Sequence, residues 1–122
     1  MAGNSLAGGV ARHGETCGAL TGAIMAIGMV RGRKKIEDID TYQACMQIAY
    51  EVREKFLNRV GHTLCAEIQK ILLGRPYRLY DDDDRQRFHD DGGHEREGCP
   101  GVCGKAARIA AEIILREREK GT

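Results

Sequence analysis

Three of the five cysteines in this 122-residue sequence lie where a helix is predicted to begin. Cys17 is near the start of the first predicted helix, and Cys65 comes two residues after Thr63. Cys99 comes directly before Pro100. Backbone N–H groups and the helix dipole stabilise negative charge at such positions. A thiol pKa there can fall from about 8.5 toward roughly 3.5–7.5, so the placement predicts nucleophiles or metal ligands.

The remaining two cysteines have different spacings. Cys103 forms a Cys-x3-Cys pair with Cys99, a spacing that can serve a metal or a redox pair. Cys17, Cys65, Cys99 and Cys103 could together supply an iron–sulfur site of the [2Fe–2S] type or a tetrahedral zinc site. Cys45 falls on the apolar face of an amphipathic helix and is interpreted as a small hydrophobic residue. The sequence has no Cys-x-x-Cys-His motif, so covalent haem is not indicated.

Small residues recur every four positions around Cys17. Gly14, Gly18, Gly22 and Ala26 would share one face of a helix, although each internal glycine costs about 1 kcal/mol relative to alanine. This repeat indicates a close neighbour, either another backbone or a cofactor. Gly18 and Gly22 are therefore predicted to contact a cofactor, and the same face makes a homo-oligomer plausible.

The elements that position these residues are predicted to be helical throughout. Apolar periodicity and caps indicate helices over residues 14–30, 38–60 and 63–74, and a last helix from Pro100 or Lys105 into the charged run 116–120. In the second helix the buried face would carry the residues Tyr42, Cys45, Ile48, Ala49, Val52, Phe56 and Val60. Residues 75–98 lack the pattern and are predicted to form a long polar loop. The expected fold is an all-α bundle of about four helices in one domain, 1–122.

Several polar residues near these elements were weighed as sites. His62 could be a base beside Cys65, but an exposed histidine near a helix end is the commoner case. His89 and His94, with their acidic neighbours, are similar to a loose metal-binding loop, although such loops are usually only solvated. The run 81–84 has no calcium-loop spacing and is interpreted as a solubilising loop.

Composition restricts the classes of partner. The formal net charge of +1 gives no general argument for nucleic acid binding. The most apolar stretch, residues 16–30, would be about 22 Å long as a helix, short of the roughly 30 Å of a bilayer core. No secretory signal is visible, and an odd number of cysteines fits a reducing, cytoplasmic location better than a disulfide framework.

The cysteine and glycine pattern resembles that of a known family. The run from Gly14 to Ala23, Thr63-x-Cys65, and Cys99-Pro100 before a C-terminal helix are similar to the putative redox-active C_GCAxxG_C_C proteins. The resemblance implies a small, helical, redox-active protein, with Cys17, Cys65 and Cys99 as its functional cysteines. It also implies a link to electron transfer and iron–sulfur binding, because related domains occur in split-Soret cytochromes. Family members carry a further cysteine in an upstream helix that this sequence lacks, so Cys103 is the candidate fourth ligand.

Three functions remain open from the sequence. The first is a redox or electron-transfer protein that binds an iron–sulfur cluster and serves an unidentified redox partner. The second is a metal-free thiol–disulfide oxidoreductase, in which one thiolate attacks a disulfide and a second cysteine resolves it. The third is a non-catalytic helical module whose cysteines bind structural zinc or no metal.

Overall fold

A computed structural model describes residues 1–121 of the chain, and it is all-α, as predicted. After a short 3₁₀ turn, Asn4–Leu6, the described residues form the five α-helices α1 (Gly18–Arg31), α2 (Ile39–Val60), α3 (Cys65–Leu73), α4 (Asp82–Asp90) and α5 (Cys99–Lys120). The prediction of about four helices is one too few. Within the described residues the only β-type pairing is an isolated bridge between Thr16 and Leu64.

The core lies between α1, α2 and α5, which pack on one another. Each contributes apolar residues at helical spacing, and these form one buried cluster. Its most buried members are Ile27, Val52, Phe56, Ile109 and Ile113. The predicted inner face of α2 is confirmed at Ile48, Val52 and Phe56 but is wrong at Tyr42, which is exposed.

The first helix begins four residues later than predicted, at Gly18. Residues 14–17 instead run beside the start of α3. Cys17 donates its backbone N–H to the Thr63 carbonyl, and Cys65 donates to the Glu15 carbonyl. These backbone hydrogen bonds, together with a φ of +73° at Gly14, keep this stretch out of the helix. Gly14 is therefore not on the helical face that carries Gly18 and Gly22.

A left-handed turn precedes this stretch. Gly8 and Gly9 have φ angles of +65° and +72°, and Val10, Ala11 and Arg12 continue at +61°, +50° and +66°. Left-handed backbone costs non-glycine residues roughly 1–2 kcal/mol each, so the surrounding contacts must stabilise the turn. The Gly8 and Gly9 carbonyls accept hydrogen bonds from the backbone of residues 14 and 15, which ties the turn to the α3 start.

The predicted polar loop over residues 75–98 is wrong in its centre, because it contains α4. Asp81 caps this helix by accepting a hydrogen bond from the Asp84 backbone N–H. Asp84 is buried and accepts hydrogen bonds from Arg75 at 2.9 Å and from the Arg78 backbone N–H at 2.5 Å. Phe88 is buried on the same helix. The run 81–84 thus starts a helix and anchors the chain before it, and it is not a solubilising loop.

The start of α3 also differs in detail from the prediction. Thr63 does not cap it: the capping position is Leu64, which makes no side-chain cap hydrogen bond. His62 is half-buried, and its Nδ1 accepts hydrogen bonds from the backbone N–H groups of Thr63 and Leu64. His62 therefore supports the turn into α3 and is not the exposed histidine expected there. At the other end, Gly74 terminates α3 with a φ of +88°, as predicted.

No helix within residues 1–121 combines the length and the apolar character that a membrane crossing requires.

Candidate functional site: a cavity lined by four cysteines

Four of the five cysteines line one cavity of about 480 Å³, which we call the thiol cavity. They are Cys17, Cys65, Cys99 and Cys103. All four are free thiols in the structure. The cavity thus brings together the four cysteines that the sequence singled out, although up to 86 residues (103 − 17) separate them along the chain.

Helix starts position these thiols. Cys17 is the N-cap residue of α1, and its carbonyl accepts hydrogen bonds from the backbone of Leu20 and Thr21. Cys65 is the first residue of α3, and Cys99 is the first residue of α5. Cys103 follows Cys99 by one helical turn and therefore lies on the same face of α5. The prediction that three cysteines lie at helix starts is confirmed.

Cys65 is the most enclosed of the four thiols. Its Sγ accepts a hydrogen bond from the Gln69 Nε2 at 3.3 Å, and Gln69 is itself fully buried. The Gln69 Oε1 accepts a hydrogen bond from the Tyr77 backbone N–H at 2.7 Å, which fixes the amide. Sequence analysis missed Gln69. Its spacing of four residues from Cys65 on one helix was the available signal, since such residues are neighbours on a helix surface.

Burial has a larger effect on the pKa of the enclosed thiols than their position at helix starts, and it raises that pKa. Burial, reinforced by the nearby Cys17, raises the pKa of Cys65 to about 11. Burial, with Cys65, Cys17 and Cys103 close by, raises the pKa of Cys99 to about 12. The expectation that a helix start lowers both values is wrong, because desolvation disfavours the thiolate and neighbouring thiols add repulsion. Without a bound cation these two cysteines are protonated at neutral pH.

Two glycines allow the chain to close tightly around the cavity. A Cβ atom at Gly9 would lie 2.5 Å from the Cys65 Cβ, and one at Gly18 would lie 3.1 Å from the Leu6 carbonyl oxygen. Gly9 is buried, and within residues 1–121 its backbone N–H donates no hydrogen bond. Gly18 lines the cavity, and its contact with a cofactor stays a prediction.

Gly22 and Cys45 lie away from this site. Gly22 is exposed and is not among the cavity-lining residues, and a Cβ atom there would meet nothing within 4 Å. Its role in cofactor binding stays a prediction. Cys45 packs against the core from α2, as its apolar position indicated.

The charged side chains at the cavity are both cationic. Arg12 and Arg85 line it together with the imidazole of His94, and no aspartate or glutamate does. Arg85 donates hydrogen bonds to the Leu79 carbonyl and to Asp82, whereas Arg12 forms no ion pair with a described residue. The lining therefore favours a ligand that carries negative charge. Sequence analysis also missed Arg12, because the left-handed turn that positions it has no helix or strand pattern.

The two histidines that were similar to a loose metal-binding loop contact each other. The Nδ1 atoms of His89 and His94 are 2.9 Å apart, and both side chains are exposed. His94 also packs edge-on against Phe88. Within the described part of the chain, no group of three or more His, Cys, Asp or Glu side chains is close enough to hold one metal ion as it stands.

Comparisons with known proteins place the whole site within one family. Searches of curated proteins and of solved structures find no match to the chain. The sequence profile of the C_GCAxxG_C_C family, described as putative redox-active proteins, matches residues 1–113, which include all five helix starts and all five cysteines. The chain therefore belongs to the C_GCAxxG_C_C family of putative redox-active proteins.

Proposed function

We propose that the protein is an electron-transfer protein whose thiol cavity holds an iron–sulfur cluster through Cys17, Cys65, Cys99 and Cys103. The observation that carries the proposal is the shared cavity: four cysteines from three separate parts of the chain line the same space. Iron–sulfur clusters are held by cysteine thiolates, and four ligands are the usual number. The family's description as redox-active agrees with this chemistry.

The lining of the cavity fits a cluster. A cluster bound by four thiolates carries negative charge, and the charged side chains that line the cavity are Arg12 and Arg85. The N–H of the buried Gly9, which has no acceptor among the described residues, is a potential donor to sulfur, and such hydrogen bonds set the reduction potential of a cluster. Glycine at this position and at Gly18 leaves room that a Cβ atom would fill.

The raised thiol pKa values weigh against Cys65 and Cys99 as the nucleophile of a metal-free oxidoreductase. A nucleophilic cysteine must be a thiolate near neutral pH, whereas burial raises the pKa of Cys65 and Cys99 to about 11 and 12. A bound metal removes the proton outright, because its positive charge outweighs the cost of burying the thiolate. The chain's own contribution is then to hold four sulfurs around one cavity, while the cluster supplies the single-electron chemistry.

The size of the cavity weighs against a single zinc ion. Structural zinc needs four sulfurs about 2.3 Å from one point. No such grouping is present within residues 1–121, where the four thiols line a cavity of about 480 Å³. A polynuclear cluster does not need all four sulfurs around one point, because its ligands bind different iron atoms.

The test is metal and sulfide analysis of the protein purified without oxygen. We expect a coloured protein that contains iron and acid-labile sulfide, and whose visible absorption bleaches on reduction. Stoichiometric zinc without sulfide would support the structural-zinc alternative. A colourless protein that does not take up iron and sulfide during reconstitution would contradict the proposal.

The redox partner and the oligomeric state stay open under this proposal. A homo-oligomer remains a prediction from the small-residue face of α1, where Gly22 is exposed. The electron donor and acceptor are not indicated by any described residue.

A further inference from the structure

A second concave surface lies between α1 and α2, and we call it the α1–α2 groove. It has a volume of about 580 Å³. Its apolar wall includes Ile24, Tyr42, Met46 and Tyr50. Gly28 deepens it on the α1 side, since a Cβ atom there would meet nothing within 4 Å.

Exposed apolar side chains also occur on the two helices that bound the groove and on the segment that joins them. Met25 and Met29 on α1 are 46% and 88% exposed, and Ile36 and Ile39 at the start of α2 are 74% and 54% exposed. Met46 lines the groove itself, so α1 and α2 together carry three of the chain's four methionines. Large exposed apolar patches on a soluble domain indicate interaction surfaces, and flexible methionines are frequent where a helix is bound. None of this surface is needed for the thiol cavity.

The charge of the groove indicates what it binds. Arg33 and Arg53 line it, and no aspartate or glutamate does. The Arg33 guanidinium lies over the Tyr42 ring, 4.5 Å from its centroid. Arg53 follows Tyr42 by 11 residues (53 − 42) on α2, which is roughly 16 Å at 1.5 Å per residue. The two guanidinium groups therefore lie toward opposite ends of an apolar groove.

Their intramolecular partners leave both groups available. Arg53 has an exposed pair with Glu54 at 3.4 Å, and such surface pairs are worth little. Arg33 donates one hydrogen bond to the Ile36 carbonyl and interacts electrostatically with the exposed Asp38, without a salt bridge. A guanidinium has five N–H donors, so each group can also bind a carboxylate.

We propose that the α1–α2 groove binds an amphipathic helix of a partner protein, with carboxylates about three turns apart that pair with Arg33 and Arg53. The apolar face of such a helix would cover the tyrosines and methionines, which is the helix-in-groove mode of recognition. A second copy of this chain is the less favourable occupant. Face to face, its groove would present the same two arginines and no carboxylate.

The probe for this proposal is a pair of synthetic helical peptides of about 18 residues. Both carry leucine on one face; one has glutamates 11 positions apart, and the other has lysines there. By fluorescence anisotropy at low salt, we expect the glutamate peptide to bind at least tenfold more tightly than the lysine peptide. Arg53→Glu should reduce binding of the glutamate peptide at least tenfold and improve binding of the lysine peptide. Arg108→Glu, an exposed arginine on α5, is the matched control and should change neither.

Three results would overturn the proposal. The first is equal binding of the two peptides, and the second is no binding by either. The third is a wild-type dimer that Met46→Glu converts to a monomer in sedimentation measurements, because a second copy would then occupy the groove. Circular dichroism of each variant shows whether a change in binding comes from loss of the fold. None of these substitutions is in the thiol cavity, so the iron and sulfide content tests the proposed function independently.

Discussion

The thiol cavity and the α1–α2 groove are both bounded by α1, yet they use it differently. The cavity lies at the N-terminal end, where Cys17 and Gly18 meet the starts of α3 and α5. The groove follows the second half of the helix, where Ile24 and Gly28 face α2. Four cysteines line the cavity, whereas Cys45 is the single cysteine among the residues that line the groove. Both regions contain cysteine, so the presence of a cysteine does not identify the candidate redox site. That site is distinguished by cysteines at helix starts that lie close together in the fold.

The largest expected effect is on thiol reactivity. In the metal-free protein, alkylation of Cys65 by iodoacetamide at pH 8 should be about 100-fold slower than in urea-unfolded protein. The shift of its pKa from 9.0 to about 11 reduces the thiolate fraction by about two factors of ten. Because the folded pKa is the higher one, the native rate should still rise about tenfold per pH unit between pH 9 and 10, where the unfolded rate gains less than twofold before it levels off.

Mass spectrometry of each cysteine peptide would measure these rates. Cys45, half-buried and outside the thiol cavity, is the internal reference and should react faster than Cys65. Equal rates for Cys65 in folded and unfolded protein would mean that the cavity does not enclose this thiol.

The second effect compares two glycines. Gly9→Ala should lower the free energy of unfolding by about 2 kcal/mol or more, because the new Cβ would overlap the Cys65 Cβ and φ is +72°. Gly22→Ala should instead raise it by up to about 1 kcal/mol, since that glycine is helical and exposed with open space around it. Urea denaturation of both variants measures the difference. A destabilising Gly22→Ala would indicate that a second chain packs on that face.

The smallest effect concerns an ion pair between α2 and α5, outside both the thiol cavity and the groove. Arg116 on α5 donates a hydrogen bond to Glu51 on α2 at 2.8 Å, and together with Lys55 it lowers the pKa of Glu51 from 4.5 to about 2. A lowered folded pKa stabilises the protein above pH 4.5, and this contribution is lost as the pH falls toward 2. Glu51→Gln should therefore cost less than about 1 kcal/mol at pH 7, because the pair is partly exposed, and nothing near pH 2.

Thermal unfolding of the wild type and of Glu51→Gln across this pH range gives the measurement. A difference between them that grows as the pH falls would contradict the assigned pairing.

The parts of the fold that the sequence predicted correctly are those with local signals. Apolar periodicity indicated α2 and α5, and Gly61 and Gly74 marked helix ends through the left-handed conformation that glycine favours. The start of α4 carries no such apolar signal. Asp84 is buried because Arg75 and the Arg78 backbone bind it, and both contacts depend on the folded chain.

In the candidate site, too, the features with a local sequence signal were predicted and those that depend on the folded chain were not. The cysteines at helix starts were identifiable from Pro100 and the glycine motif. The wall formed by Gly9 and Arg12 was not, since no pattern indicates left-handed backbone at Val10 or Ala11. The sign of the thiol pKa shifts also depends on how deeply the folded chain buries Cys65 and Cys99, and spacing along the sequence does not give that depth.

The central claim is that four cysteines serve one centre and that Cys45 does not. Iron and acid-labile sulfide per chain, measured after anaerobic reconstitution of the five single cysteine-to-serine variants, tests this most directly. We expect Cys45→Ser to retain the wild-type content, and Cys17→Ser, Cys65→Ser, Cys99→Ser and Cys103→Ser each to lower it or to change the visible spectrum. Loss of iron in Cys45→Ser, or a wild-type content and spectrum in all four cavity variants, would contradict the account.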